Sequence, residues 1–441
     1  MRDLPLLAGF LIMMAATFVR PHVGVLVWCW TALLVPNVYV YGLAEGVRFN
    51  FWIAGATILS WLISKEAKRF PSNGTLIVLG LLFVQATLST ILSIAPSSGV
   101  AWTEWEKFVK ILALVFIITA LINSELRMKA LLFAIALSMG FHGTIEGMKF
   151  LMSGGGHAIM GPGSSIIGDN NHFALAVVMI IPILLYIYAH TSNPMVRMGI
   201  VGCLVLQVVT IVGTASRGGF IGILALAAYI FLTTKRKVRV ALIALVLAAV
   251  ALAAAPQRWH DRMETIQTAD QDTSFMGRVI AWKINTLVAL DHPLLGGGFR
   301  SSQDFAVWNA YAQRFALLDF IPTDGPDPTD AHAAHSIYFQ VLGDMGFVGL
   351  AIYIALLVSA WRNSAIAIRQ ARDRPELKWA GDLARTLQYS MIPYVVSGAA
   401  LNMAYFDLAY VVFALLIVLR RLTASAVTSA VRIRMVPAHA R

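Results

Sequence analysis

Charged residues are scarce in this sequence of 441 residues: Asp, Glu, Lys and Arg make up 13% of it, whereas 58% of the residues are hydrophobic. Such a composition excludes an ordinary soluble globular protein and is typical of a chain that crosses a membrane many times. The first residues, MRDLPLLAGFLIMMAATFVRP, contain an apolar run but no small-residue cleavage site. They therefore predict a first membrane helix and no cleaved signal peptide.

Cysteine is also nearly absent. Cys29 and Cys203 both lie in apolar runs and neither stands in a CxxC pair, which argues against a disulfide framework and against a zinc site. The glycine-rich stretches lack a Walker-type lysine, so nucleotide binding is not expected. His292 and His332 have no recognisable metal-ligand spacing with other residues. We therefore expect neither a metal nor a cofactor.

The net charge is +11, and the basic residues are concentrated in short loops between the apolar runs. The positive-inside rule assigns such loops to the cytoplasm, so the charge does not indicate nucleic-acid binding. By alternation, the segment from about 257 to 334, with six Lys or Arg and ten Asp or Glu, lies on the opposite side. The residues assigned to the cytoplasm are Lys65, Lys68 and Arg69; Arg127 and Lys129; Lys235, Arg236, Lys237 and Arg239; Arg362, Arg369, Arg372, Arg374 and Lys378; and Arg420 and Arg421.

The long apolar runs predict the fold, because a helix needs about 20 apolar residues to cross a membrane. We predict an all-α integral membrane protein, a polytopic bundle of twelve or thirteen helices, since the last run suits one tilted helix or two short ones. Ten membrane helices would occupy 1–256, a large outer loop with short helices 257–335, the C-terminal membrane helices 336–422, and a cytoplasmic tail 423–441. The runs lie near 4–19, 23–41, 51–64, 75–95, 107–122, 129–150, 172–190, 198–215, 217–234, 239–255, 336–361 and 388–420.

Three arginines stand at the predicted outer surface in settings that suit an anion. Arg217, in TASRGGF, opens a helix beside two glycines, where the chain can approach a phosphate closely; it could equally extend to lipid headgroups. Arg278, in SFMGRVIAWK, precedes Trp282 on a helix that could simply be an interfacial anchor. Arg300 follows three glycines, which could cradle an anion or give the loop flexibility.

His335 stands where the chain enters its next apolar run from the outer side. The dipole of that helix disfavours imidazolium, so we expect a neutral imidazole that acts as a general base; the alternative is a helix cap. A general base and several cations at one surface suit a reaction with a poor nucleophile and an anionic leaving group. A diphosphate-linked lipid is a substrate that fits this description.

Weaker candidates surround this group. Asn170 and Asn171 would cap a helix or bind sugar hydroxyls, with capping favoured. Asp344 lies about two turns into the helix after His335, where an acid is usually functional, although it could pair with a neighbouring helix. His332 could assist His335.

The segment HSIYFQVLGDMGFVGL resembles the His-Asn/Ser-x-Tyr…Glu-x-Gly-x-x-Gly block of the O-antigen ligase and polymerase superfamily. TASRGGF, GRVIAWK followed by HPLLGGGF, and GDNNHFA also match that superfamily, in the right order. The N-terminal segment is similar to the branch of O-glycosylation or O-antigen ligases. Asp344 departs from the pattern, because many relatives have Glu there.

The resemblance implies a membrane glycosyltransferase of the C type with twelve helices, an outer loop over the active site, inversion at the anomeric carbon and no metal. It implies a glycan donor on undecaprenyl diphosphate, a lipid A–core hydroxyl as acceptor, and a periplasmic site in the bacterial inner membrane. The family histidine falls on His335 and its arginines on Arg217 and Arg278; Arg300 comes from the loop pattern alone. An O-antigen polymerase and a protein O-oligosaccharyltransferase remain alternatives, and a transporter of lipid-linked glycan is disfavoured because few charges lie at mid-membrane.

Overall fold

The computed structural model describes residues 3–68, 70–163, 165–254, 259, 273–318 and 323–435, and these residues form helices joined by loops, with no strand among them. Arg69, most of the first part of the predicted outer loop and residues 319–322 lie outside this description, as does the end of the predicted tail. The α-helices of the described residues, in chain order, are α1 Asp3–Val19, α2 Pro21–Leu34, α3 Phe49–Ile63, α4 Gly74–Ile91, α5 Ser98–Leu121, α6 Glu125–Met152, α7 Asn170–His190, α8 Pro194–Gly213, α9 Arg217–Thr233, α10 Lys237–Ala254, α11 Thr273–Asp291, α12 Phe305–Ala312, α13 Ile337–Ala371, α14 Lys378–Ser397 and α15 Asp407–Met435.

Two helices form the centre of the bundle. In α7 every residue from Phe173 to Ile180 is buried, and in α15 every residue from Leu408 to Leu419 is buried. A helix that is apolar on all sides is stable only when other helices surround it, which explains why these runs occupy the core. Ser390 of α14 donates a hydrogen bond to the Met179 carbonyl at 2.9 Å and ties the C-terminal helices to α7.

Six helices among the described residues are long and apolar enough to cross a membrane: α4, α6, α7, α8, α13 and α15. Four shorter apolar helices, α1, α2, α3 and α9, accompany them. The all-α polytopic class predicted from the composition is confirmed. The number of spans, twelve or thirteen, stays a prediction.

The last apolar run, near 388–420, forms two helices, α14 and α15, with a turn between them. Side chains satisfy the backbone groups that this interruption leaves without helical partners. The Tyr394 hydroxyl donates to the carbonyls of Met403 at 3.1 Å and Ala404 at 3.2 Å, and the Ala404 N–H donates to Gln340 Oε1 at 3.0 Å. The predicted tail, 423–441, is a continuation of α15 as far as Met435.

A glycine loop docks on a break in α13. Gly346 has φ 69° inside this helix. The N–H groups of Gly297 and Gly298 donate to the carbonyls of Gly343 at 2.8 Å and Asp344 at 3.0 Å. A Cβ at Gly296 would lie 2.5 Å from the backbone nitrogen of Gly346, so only glycine allows the two backbones to meet.

The bundle has two ends, which contacts between α4 and α13 distinguish. Ser89, late in α4, bonds to Asp344, early in α13, whereas Thr75, early in α4, bonds to Asn363, late in α13, at 2.9 Å. The two helices therefore run antiparallel. We name the end at which α13 starts the site end. The other end, with the loops around 64–73, 122–124 and 372–377, is the basic end.

Candidate functional site

Helices α7 and α9 begin side by side at the site end. Asn170 Nδ2 donates to the Thr214 carbonyl at 2.8 Å, which joins the start of α7 to the turn before α9. One turn further on, a Cβ at Gly219 would lie 2.6 Å from that of Ala174, so glycine is what lets the two helices approach. The partial positive charges of the two helix N-termini consequently face the same region.

Helix α13 begins at the same place. Ser397 donates to the Gly218 carbonyl at 2.8 Å, at the start of α9. The next residue, Gly398, packs against Ile337, the first residue of α13, since a Cβ at Gly398 would lie 2.7 Å from Ile337 Cδ1. Three helix N-termini thus converge, and such a convergence favours an anion.

His335 lies at the edge of this convergence, two residues before α13, in a left-handed conformation with φ 45°. Its imidazole is half-buried and makes no hydrogen bond to any residue in the described part of the chain. The helix cap is Ser336, whose Oγ accepts from the Phe339 N–H at 3.5 Å, so the capping alternative for His335 is wrong.

Burial, together with the positive charge of Arg278, lowers the pKa of His335 to about 4. This direction agrees with the neutral ring expected from the sequence. The main cause of the lowered pKa, however, is burial and not the helix dipole that the sequence suggested. A neutral imidazole has a free lone pair, which is what a general base requires.

The loop before His335 is fixed to α11. Trp282 Nε1 donates to the Ala334 carbonyl at 2.7 Å, and the indole stacks on Phe339 with ring centroids 5.0 Å apart. His332 has a backbone carbonyl at 2.8 Å from each ring nitrogen, Asp330 at Nδ1 and Gly277 at Nε2. His332 therefore positions the loop beside Arg278, and both its nitrogens are occupied.

Helix α11 differs from the interfacial anchor considered from its sequence. Lys283 is buried, with its Nζ 2.7 Å from Thr323 Oγ1 and 4.4 Å from the centre of the Phe315 ring. A lysine with these contacts is held between α11 and the residues around 315 and 323. The same helix carries Arg278, whose charge acts on His335.

Arg217 is the first residue of α9, where the sequence placed it. The N-cap is Ser216, whose Oγ accepts from the Gly219 N–H at 3.0 Å. Arg217 is half-buried, and its helix end is joined to α7 through Thr214. Arg217 and Arg278 accordingly approach the convergence from two different helices.

His172, in the first turn of α7, belongs to the same group, since it lies within electrostatic range of Arg278 and His335. Its Nδ1 faces the Ile166 carbonyl at 3.0 Å, so Nδ1 carries the proton and Nε2 the lone pair. That Nε2 is buried and has no partner within the described residues. The sequence offered one signal for it, a histidine directly after the predicted cap.

The cap of α7 is Asp169, whose Oδ1 accepts from the N–H groups of Asn171 at 2.8 Å and His172 at 3.3 Å. The prediction that Asn170 or Asn171 caps this helix is wrong. Aspartate was the better candidate because its carboxylate accepts both bonds with one oxygen at a positive helix end. Asn170 instead bridges to the turn before α9, and its Oδ1 accepts from Asn171 Nδ2 at 3.1 Å.

Arg300 and Asp344 form a separate cluster. Asp344 Oδ1 accepts from the Arg300 N–H at 2.8 Å, and Oδ2 accepts from the Tyr405 hydroxyl at 2.9 Å. The Arg300 guanidinium pairs with Glu104 at 3.3 Å. Asp344 is nine residues beyond His335, roughly 13 Å along a helix. These contacts make both residues anchors of the glycine loop.

Comparison with protein families gives a match for the segment that contains these arginines and His335. The O-antigen ligase family model matches residues 202–354. This segment, about a third of the chain, is therefore similar to the O-antigen ligase family. The match confirms the resemblance to the O-antigen ligase superfamily that the short motifs indicated.

This match and the apolar helices together support a multi-pass membrane protein. Residues 1–192 match a second model, described as a Family of unknown function (DUF5935). No curated protein matches the chain. The candidate site spans both matched segments, since His172 lies within residues 1–192, whereas Arg217, Arg278 and His335 lie within residues 202–354.

Proposed function

We propose that the protein is an O-antigen ligase that transfers a glycan from undecaprenyl diphosphate to a lipid A–core hydroxyl, with inversion at the anomeric carbon. The reaction takes place on the periplasmic side of the bacterial inner membrane. The observation that carries the proposal is the half-buried His335, which lies within electrostatic range of Arg278 at the edge of three converging helix N-termini, one of which begins with Arg217. The match to the O-antigen ligase family supports the donor and acceptor classes.

In the proposed reaction His335 accepts the proton of the acceptor hydroxyl as its oxygen bonds to the anomeric carbon. The bond from that carbon to the donor diphosphate breaks, and the diphosphate leaves with the electron pair. Arg217 and Arg278, with the helix N-termini, stabilise the negative charge that develops on the leaving group. Since the acceptor oxygen attacks opposite the leaving group, the anomeric configuration inverts.

His172 has a place in this reaction that its hydrogen bonds define. A buried hydrogen-bond acceptor without a donor lowers the stability of the folded state by about 1–3 kcal/mol. A ligand that donates a hydrogen bond to Nε2 would remove this penalty. A sugar hydroxyl is such a donor. We assign His172 Nε2 to a hydroxyl of the glycan or the acceptor.

The test is transfer in vitro, with undecaprenyl-diphosphate glycan and lipid A–core, by the purified full-length protein in EDTA. Wild type should form product and His335→Ala should not. His190→Ala is the matched control, because His190 stacks on Tyr186 at the basic end, with 4.1 Å between ring centroids, and should leave transfer unchanged.

Other outcomes reject parts of the proposal. Longer lipid-linked glycan with no transfer to lipid A–core would make the protein an O-antigen polymerase. Transfer to a peptide serine or threonine instead would make it a protein O-oligosaccharyltransferase. Full activity of His335→Ala would remove the assigned base and leave the ligase assignment in place.

A further inference from the structure

A polar cavity lies at the basic end of the bundle, far from His335. It has a volume of about 510 Å³ and opens where α1, α3 and α6 meet. Its lining includes Arg20, His22, Lys65, Glu66 and Arg127. Three formal positive charges and one negative charge thus face a single space, which the proposed glycan transfer does not use.

The positive charges are not neutralised to the same extent. Arg127 donates to Glu66 Oε1 at 2.6 Å and to the Leu121 carbonyl at 2.7 Å, so this arginine is fixed and partly neutralised. Arg20 and Lys65 are exposed and form no ion pair with any described residue. The cavity therefore keeps an excess of two positive charges.

A buried polar atom also points to a ligand. His22 stands in the first turn of α2, and its Nδ1 is buried without a hydrogen-bond partner among the described residues. The same helix end has no side-chain cap from Arg20, and among its first N–H groups that of Val23 bonds to the Arg20 carbonyl at 2.9 Å. Cations, a polar ring atom and a helix N-terminus together match the oxygens of a phosphate group.

We propose that this cavity binds a phosphate group, supplied by the headgroup of an anionic phospholipid. The surroundings favour a lipid over a free ion: Val19, which lines the cavity, is 79% exposed, and Ile63, just before the lining residue Ser64, is 68% exposed. These side chains lie at helix ends and offer an apolar path for acyl chains. Basic pockets between membrane helices on the cytoplasmic side bind anionic headgroups in the same way.

The test measures lipid binding by the purified full-length protein with native mass spectrometry. Three probes are compared: phosphatidylglycerol, phosphatidylethanolamine with the same acyl chains, and inorganic phosphate. The double variant Arg20→Gln/Lys65→Gln removes the two unpaired charges and spares Arg127, which supports the loop. The control Lys129→Gln/Lys378→Gln removes the same charge from the basic end outside the cavity.

Phosphatidylglycerol should bind wild type more tightly than phosphatidylethanolamine does, and the cavity variant should weaken it roughly tenfold to thirtyfold. The control variant should lose less than about threefold. Binding of inorganic phosphate that the cavity variant abolishes would keep the phosphate site and identify a free anion as its ligand. Equal losses in both double variants, or no preference among the three probes, would overturn the proposal.

His22→Phe provides an independent check, because it removes the unpaired Nδ1 and keeps a ring of similar size. It should weaken phosphatidylglycerol about threefold to tenfold. Unchanged affinity would contradict the part assigned to His22. Glycan transfer is measured on the same samples, so a failure of the ligase proposal is separable from a failure of this one.

Discussion

The indole of Trp282 lies flat on the ring of Phe339, with an angle of 8° between their planes. The same indole holds the Ala334 carbonyl through its N–H at 2.7 Å. Trp282 therefore contacts the chain on both sides of His335 and fixes the direction from which the imidazole enters the site. It does not touch the reacting atoms, so it is a positioning residue.

Trp282→Phe should keep the stacking and lose the N–H, lowering kcat about threefold to tenfold with little change in KM, because one hydrogen bond contributes about 0.5–1.5 kcal/mol. Trp282→Ala should lose both contacts and also lower the thermal unfolding temperature. Steady-state transfer and thermal unfolding in detergent measure the two effects. Trp282→Phe with wild-type kcat would show that the stacking alone positions the loop.

The second prediction concerns pH. The pKa of His335 is lowered from 6.5 to about 4, so the free enzyme keeps its base neutral at neutral pH, and kcat/KM should not fall through the loss of this base until about pH 4. Arg278→Gln removes a cause of the lowered pKa and should move the acidic limb toward higher pH. A wild-type limb near pH 6.5 would contradict the assignment of His335.

The stability of the protein gives the same prediction another readout. Since the folded state resists protonation of His335, the unfolded state binds more protons between about pH 6.5 and pH 4, and the contribution of this group is lost as the pH falls through that range. The variant His335→Gln has no titrating group at this position, so its stability does not fall for this reason. The stability of wild type relative to His335→Gln should therefore decrease toward pH 4, which thermal unfolding at several pH values measures.

The third prediction separates the three arginines. Arg217→Gln and Arg278→Gln should each lower kcat/KM roughly tenfold to a hundredfold, because each removes a charge-assisted contact worth about 1.5–3 kcal/mol. Arg300→Gln should lower it less than about threefold, since the Arg300 guanidinium pairs with Glu104 outside the convergence. A large decrease in kcat/KM for Arg300→Gln, with an unchanged unfolding temperature, would show that Arg300 binds the diphosphate after all.

The fourth prediction concerns His172. His172→Asn should retain part of the activity, because an amide oxygen accepts the hydrogen bond assigned to Nε2, whereas His172→Leu should lose about tenfold to a hundredfold. The loss should come mainly in KM for the glycan or the acceptor, since His172 binds a hydroxyl that does not react. Equal activity of His172→Leu and wild type would show that Nε2 has no ligand.

Much of the fold could be predicted from the sequence, because helix periodicity and apolar length are local properties. The starts of α9 at Arg217 and of α13 just after His335 could be predicted, because in both places polar residues are followed directly along the chain by an apolar run. Whether the last run is one helix or two was left open by the sequence, since the split into α14 and α15 depends on bonds that Tyr394 and Gln340 form with distant backbone groups.

The candidate site divides in the same way. Arg217, Arg278 and His335 were recognisable because each stands in a short motif at a helix end. His172 and the roles of Arg300 and Asp344 depend on which elements pack together, and no spacing along the chain contains that information. Glu104 is almost two hundred residues from Arg300, and only the folded chain shows that the two charges meet.

The docking of the glycine loop on the break in α13 has a consequence for biogenesis. Gly297 and Gly298 find their bonding partners, Gly343 and Asp344, in a helix that the ribosome makes only afterwards. A chain released before α13 is complete lacks those partners, whatever has already crossed the membrane. The contacts at the site end can therefore form only late in synthesis, after the helix that begins just after His335 has been made and the glycine loop can bond to it.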